Sequence, residues 1–182
     1  MKEKAVFRSI KPYFLYLILI GKKEIEVGKN EPKAKDWKRK VFFYCSRDKK
    51  SFNRIPKKDQ EFMRKYLGKV ACMAVCNKII ISIPSYEELL KGSCLSQKEI
   101  LDYADGKILY GWHLNYIYIF DKPKKLSEFK TLCKEYEKDE PNCEECKYFI
   151  DGRGYEYDES DCGCNGLKPL TRPPQTWCYV VV

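Results

Sequence analysis

The stretch KPYFLYLILIGKKEIEVGK, from Lys11 to Lys29, places a helix next to a strand and decides the fold class. Proline is tolerated in the first turn of a helix, as at Pro12, and Gly21 ends the apolar run that follows. In KEIEV (Lys23 to Val27) charged and apolar residues alternate, as they do in a half-buried strand. The stretch therefore predicts a short buried helix followed directly by a strand, within an α+β fold.

Outside this stretch, strand patterns outnumber helix patterns. Runs rich in β-branched and aromatic residues predict strands in AVFRSI (5–10), VFFYCS (41–46), KVACMAVCNKIIISI (69–83), LYGWHLNYIYIF (109–120) and a final strand at about 175–182. Helical spacing predicts a helix from Ile55 to Leu67 and two short helices flanking Gly92, with Ser85 and Ser96 as N-caps. The pattern fails from Thr131 onward until the final strand.

Length and composition favour one domain. The chain has 182 residues, of which 44% are hydrophobic and 34% charged, enough for a core with a solvated surface. Its longest apolar run, Phe14 to Ile20, is far shorter than the roughly 20 residues of a membrane-spanning helix. No signal peptide is recognisable, because charged residues interrupt the first residues. We expect a single cytoplasmic domain over residues 1–182, without a membrane partner.

The charge is unevenly distributed along the chain. Residues 1–70 carry 21 Lys and Arg against 8 Asp and Glu, whereas residues 71–182 carry 14 against 18. A basic excess of this size favours contact with the phosphates of a nucleic acid over solubility alone. Trp37 lies among the cations and offers a ring on which a base could stack. The cations of this series that we expect to bind nucleic acid are Lys33, Lys35, Lys38, Arg39, Lys40, Lys49, Lys50 and Arg54.

Ten cysteines in a chain without an export signal are expected to be mostly reduced thiols. Buried thiols are expected at Cys45, Cys72, Cys76 and Cys94. A cysteine-rich acidic excursion at about 133–166 holds two further pairs. A structural zinc would have its four thiolates in Cys143, Cys146, Cys162 and Cys164. The first pair has the Cys-x-x-Cys spacing of a zinc knuckle, whereas the second pair is too close for one, and Cys133 or Cys178 could replace one of its members. Free thiols on a solvated segment remain the alternative.

Three segments together resemble the ASCH domain, a member of the PUA-like superfamily. They are SIKPYFLYLILIGKKEIEVGK (9–29), YGWHLNYIYIFDKPKKLSEF (110–129) and LTRPPQTWCYV (170–180), in that order across nearly the whole chain. The resemblance implies a mixed β-barrel of five to six strands with peripheral helices. It also implies a cleft beneath the Gly-x-Lys-x-x-Glu-x-Arg motif, and relatives of a small bacterial or phage type.

The motif is degenerate here. It falls on Gly21, Lys23 and Glu26, but Gly28 stands where the motif has arginine. An arginine there would stand beside Glu26, and glycine cannot replace its fork of donors. The cost of the glycine to folding is expected to be small, because at a strand end it leaves no core void. Some ASCH proteins are amidohydrolases of acetylated cytidine. Two of their three chemical groups are missing here, since Glu26 stands at the hydroxyl position and Met73 where the acid is expected.

The resemblance makes Lys23 and Glu26 a candidate buried pair in the cleft, with a lysine pKa lowered by desolvation. His113, the single histidine, is a further but weaker catalytic candidate. An exposed Lys23–Glu26 pair and a core histidine are the alternatives. Besides Lys23, Glu26 and the basic series, the nucleic acid-binding candidates are Lys11, Lys22, Lys29, Trp112 and Arg172.

Three functions follow from the sequence. The preferred one is an RNA-binding module that holds a single-stranded nucleotide in the cleft without full catalytic machinery. The second is an enzyme of the same cleft, an amidohydrolase on acetylated cytidine or a ribonuclease. The third is a phage-type inhibitor whose partner is a host defence complex. No cofactor other than the candidate zinc is expected.

Overall fold

The structure is a computed structural model that describes residues 4–30, 39–82, 86–132 and 167–181. Within these ranges the chain forms eight strands and five α-helices. The strands are β1 (Lys4–Ile10), β2 (Ile25–Gly28), β3 (Arg39–Cys45), β4 (Val70–Ile81), β5 (Tyr110–Lys124), β6 (Lys130–Leu132), β7 (Leu167–Pro169) and β8 (Trp177–Val181). The helices are α1 (Pro12–Leu19), α2 (Lys49–Phe52), α3 (Lys57–Arg64), α4 (Glu87–Ser93) and α5 (Gln97–Ala104).

All eight strands belong to one mixed sheet in the order β2-β5-β4-β3-β1-β8-β6-β7. Strands β1 and β3 run parallel, and the other recorded pairs are antiparallel. The predicted α+β class is thus confirmed. The implied closed barrel is wrong in detail, because no pairing joins β2 to β7 among the described residues. The strand count differs because β6 and β7 have three residues each, too few to show an alternating pattern.

The open sheet curls strongly. Strands β5 and β8 are four positions apart in the sheet, which would separate them by about 19 Å if it were flat. Nevertheless the rings of Trp112 on β5 and Trp177 on β8 lie only 6.0 Å apart, centroid to centroid. Strands β1 and β2 are also four positions apart, and their side chains form an ion pair. The face that carries these contacts is therefore concave.

The largest core cluster fills this concave face. Val6 and Ile10 of β1 pack there with Leu15 of α1 and Trp112 of β5. Residues two apart in a strand share a face, so the residue between Val6 and Ile10, Arg8, points the same way. Ala5 and Phe7 belong to a second cluster behind the sheet. A third cluster joins Ile25 and Val27 of β2 to α4 and α5. None of the described helices is long and apolar enough to span a membrane.

Most predicted elements are present, with local differences. The 109–120 segment forms one bent strand, interrupted by Tyr116 at φ 48°. Ser96 caps α5 in a capping box with Glu99, as predicted, whereas Gly92 lies inside α4 rather than between two helices. Ser85 lies outside the described residues. Cys45, Cys72 and Cys76 are buried, but Cys94, which follows the end of α4 in a left-handed conformation, is exposed.

Candidate functional site

A cleft of about 770 Å³ opens where α1, β1, β2, α5 and the start of β8 meet. Its floor holds three charged residues, Arg8, Lys23 and Glu26, each of which is at most 9% exposed. Charged residues are seldom buried unless they serve a partner or a ligand. The further lining residues that carry charge are Lys11, Lys29, Asp48, Arg54, Glu99 and Asp102.

Lys23 is placed by the turn that ends α1. Gly21 adopts a left-handed conformation with φ 72°, and the amides of Lys22 and Lys23 both donate to the carbonyl of Leu17. This reversal sends the Lys23 side chain beneath α4, where Nζ donates to the carbonyl of Ser93 at 2.6 Å. Burial lowers the pKa of Lys23, and the carboxylate of Glu26 partly opposes that effect.

The carboxylate of Glu26 lies between two cationic side chains, Arg8 and Lys23. Its Oε1 lies 3.5 Å from Nη2 of Arg8, and its Oε2 lies 3.4 Å from Nζ of Lys23. Both distances exceed the roughly 2.7–2.9 Å of a strong charged hydrogen bond. One carboxylate therefore holds two buried cations loosely, and the floor of the cleft has a net positive charge.

Arg8 is only partly satisfied by protein. Nη2 donates to Glu26 and to the carbonyl of Val27, and the guanidinium lies 5.1 Å from the centroid of the Trp112 ring. Its Nε and Nη1 are buried and have no acceptor among the described residues. A buried donor without a partner costs about 1–3 kcal/mol, more when it is charged. An acceptor on a bound ligand would remove this cost by pairing with the two free donors.

Two other lining residues also have unpaired polar atoms. Ser46 Oγ and Trp177 Nε1 are buried without a hydrogen-bond partner among the described residues. Five buried side-chain N and O atoms of the described residues have no hydrogen-bond partner. Ser46 Oγ, Trp177 Nε1 and the two Arg8 atoms are four of them, and Trp112 Nε1 is the fifth. Native proteins leave few such atoms, so their concentration around one cleft indicates a ligand site.

The space next to Gly28 is already filled. A Cβ atom on Gly28 would lie 3.0 Å from Nη2 and 3.3 Å from Nη1 of Arg8. A side chain at position 28 would therefore have to displace the Arg8 guanidinium. Sequence reasoning also missed Arg8, which lies on the same face of β1 as Val6 and Ile10.

The rim mixes cations with acids from α5. Lys29 lies over the ring of Tyr103, 5.0 Å from Nζ to centroid, and Arg54 lies over Tyr13 at 4.2 Å. Arg54 also pairs with Glu99, whose pKa is lowered mainly by the backbone amide of Ser96. Glu99 and Asp102 were not predicted as site residues, although their spacing places both on one face of a helix.

Several predicted site residues lie away from the cleft lining. His113 contacts Asn77, with 2.9 Å between Nδ1 and Oδ1, and Trp112 is only 1% exposed. Met73 packs against the second core cluster, so the expected position of a catalytic acid does not face the cleft. The basic candidates outside the lining are Lys22, Arg39, Lys40, Lys49, Lys50 and Arg172.

Other predictions fall outside the described residues. They concern Lys33, Lys35, Trp37 and Lys38 of the basic series and Cys143, Cys146, Cys162 and Cys164 of the candidate zinc site. Within the described ranges, no group of three or more His, Cys, Asp and Glu side chains could hold a metal ion.

No protein-family model matches the chain, and no curated protein matches it significantly. Solved structures match it in fold. The crystal structure of ASCH from Zymomonas mobilis has a TM-score of 0.51 and 18% identity, covering 67% of this chain and 73% of that chain. A single-substitution variant of that protein has a TM-score of 0.56 and 15% identity, covering 96% and 87%. A second variant has a TM-score of 0.52 and 17% identity, covering 68% and 77%. The predicted resemblance to ASCH proteins is thus confirmed at the level of the fold.

Proposed function

We propose that this chain, with its ASCH fold, binds single-stranded RNA and holds one nucleotide in the cleft. One observation carries the proposal: the floor buries two cations, Arg8 and Lys23, against a single carboxylate, Glu26. Buried charge is costly unless it is compensated. A phosphate entering the cleft would supply the missing negative charge.

The size and rim of the cleft agree with a nucleotide. Its volume of about 770 Å³ falls within the range of small-ligand sites, roughly 300–1,000 Å³. Lys11 and Lys29 line it and can contact phosphates on either side of the bound nucleotide. The basic excess of residues 1–70 extends this attraction beyond the cleft.

The test is a fluorescence anisotropy titration of a labelled single-stranded RNA at several salt concentrations. Affinity should fall by roughly 0.7 log units per log unit of salt for each phosphate contacted. The pair Lys11→Gln and Lys29→Gln should weaken binding and reduce that slope. The matched control is Lys107→Gln with Lys122→Gln, the same charge change on exposed residues outside both the lining and the basic residues 1–70. Absence of binding at low salt, or equal losses for the two pairs, would contradict the proposal.

A second candidate is hydrolysis in the same cleft, of an acetylated cytidine or of RNA itself. The observation in its favour is the buried amine of Lys23, which lines the cleft and whose pKa is lowered mainly by burial. Chromatography of acetylated cytidine and of RNA after incubation with the protein tests it. Turnover that disappears in Lys23→Met would favour hydrolysis over binding alone.

A further inference from the structure

We propose that Arg8 and Trp177 form a subsite that receives the phosphate of a bound nucleotide, with Arg8 supplying the guanidinium that position 28 lacks. This deepens the function proposed above and rests on it. The ASCH-type motif would place its arginine on β2, whereas here a guanidinium from β1 lies 3.0 Å from where a Cβ at position 28 would be and 3.5 Å from Glu26. A different strand thus supplies a guanidinium next to Glu26.

The sheet places the two residues side by side. Arg8 on β1 and Trp177 on β8 are direct partners in the antiparallel register. Partners in a register point to the same face, and both residues line the cleft. Their side chains therefore stand together on the concave face.

Both residues offer donors and no acceptors. The guanidinium retains Nε and Nη1, and the indole retains Nε1, without partners in the described ranges. Neither group can accept a hydrogen bond. A ligand that satisfies both must present acceptors only, and the net positive charge of the floor requires those acceptors to be anionic. A phosphate meets both conditions, and an arginine fork can hold two of its oxygens at once.

The guanidinium is also fixed in place before a ligand arrives. It lies over the ring of Trp112, and Trp112 in turn meets Trp177 edge-on, with an angle of 62° between the rings. Its Nη2 also makes two long contacts, at 3.5 Å to Glu26 and at 3.4 Å to the carbonyl of Val27. A binding group that is already ordered loses less entropy when the ligand binds.

Calorimetric titrations of the whole chain test the subsite. The probes are a nucleoside monophosphate, the same nucleoside without phosphate, inorganic phosphate and acetate. The wild type should prefer the monophosphate to the nucleoside, and phosphate to acetate. Arg8→Met should lose about ten- to hundredfold in affinity for the monophosphate, as expected for a lost hydrogen bond to a charged group. Arg8→Lys should recover only part of it, because a point charge replaces the fork.

Two further variants complete the set. Trp177→Phe removes the indole donor but keeps a ring, so it should weaken monophosphate binding and leave nucleoside binding unchanged. Arg64→Met is the matched control, since Arg64 is exposed on α3, pairs with Glu61 and lies outside the cleft lining. It should bind like the wild type.

The outcomes separate this subsite from the general function. If RNA binding persists but Arg8→Met binds the monophosphate as the wild type does, the subsite is overturned and RNA binding stands. If RNA does not bind but the monophosphate does so in an Arg8-dependent manner, the subsite stands and RNA binding fails. Equal wild-type affinity for nucleoside and monophosphate, or for acetate and phosphate, overturns the subsite even if the Arg8 variants do not fold.

Discussion

Lys23 and Glu26 form a buried ion pair, with 3.4 Å between Nζ and Oε2, although Lys23 precedes the strand that carries Glu26. Strand alternation alone would send these two residues to opposite faces. The left-handed turn at Gly21 brings them together instead, because β2 begins only at Ile25. A local backbone feature, rather than the strand pattern, therefore creates the charged floor of the cleft.

This arrangement predicts how stability depends on pH. Burial lowers the pKa of Lys23 below its ordinary value of 10.5, so between the two values the unfolded chain binds more protons than the folded chain. Through this group, the free energy of unfolding should rise as the pH increases toward 10.5. Urea unfolding of the wild type and of Lys23→Met at several pH values measures the effect. The wild type should gain stability relative to the variant with increasing pH, and a constant difference would contradict the assignment.

The sequence predicted the main strands and α1 because their residues carry the local signals of those elements. These local signals do not identify Arg8 as a residue of the cleft. Its strand is buried on both faces, with Val6 and Phe7 each fully buried, so alternation cannot show which face a charge should take. Its contact with Glu26 joins two strands that are not neighbours, and depends on the curl of the whole sheet.

Met73 shows a second limit of sequence reasoning. Strand β4 shifts its register against β5 at three points, one of them between Met73 and Val75. A register shift changes which residues share a face, so counting along the strand does not locate the position opposite the cleft. Met73, the position expected to carry a catalytic acid, therefore lies in the second core cluster and not in the cleft lining. Besides Glu26, the acids that line the cleft are Asp48, which caps α2, and Glu99 and Asp102 of α5.

Cysteine reactivity should separate Cys94 from the core thiols. Cys94 is exposed, whereas burial raises the pKa of Cys45 and of Cys72 to about 12. Only a thiolate is alkylated readily, so Cys94 should react in the folded protein and the two core thiols only after unfolding. Iodoacetamide labelling followed by peptide mass spectrometry, with a denatured sample as control, measures this. Equal labelling of Cys72 and Cys94 in the folded protein would be inconsistent with the core packing.

The cysteine pairs at 143–146 and 162–164 still predict a structural zinc. Elemental analysis of protein prepared without chelators should find about one zinc per chain, as expected for four thiolate ligands. Replacing both Cys162 and Cys164 by serine should abolish metal retention, while Cys94→Ser should not affect it. Wild-type protein without stoichiometric zinc would leave the free-thiol alternative.

An arginine at position 28 should destabilise the protein rather than restore the family motif. In Gly28→Arg the new side chain starts 3.0 Å from Nη2 of Arg8, and its guanidinium adds a like charge to a buried site. Overpacking of this kind costs about 1–3 kcal/mol. Urea unfolding should therefore show a lower free energy of unfolding for Gly28→Arg than for the wild type.

Shortening Arg8 should relieve that cost, because the Arg8 guanidinium fills the space next to the Cβ position of residue 28. The double variant Arg8→Ala with Gly28→Arg should be more stable than the sum of the single effects predicts, since residues in direct contact are not additive. It should also bind a nucleoside monophosphate better than Arg8→Ala does, because a guanidinium again stands beside Glu26. Strictly additive effects on stability, or no recovery of binding, would show that Arg8 does not take the place of the missing motif arginine.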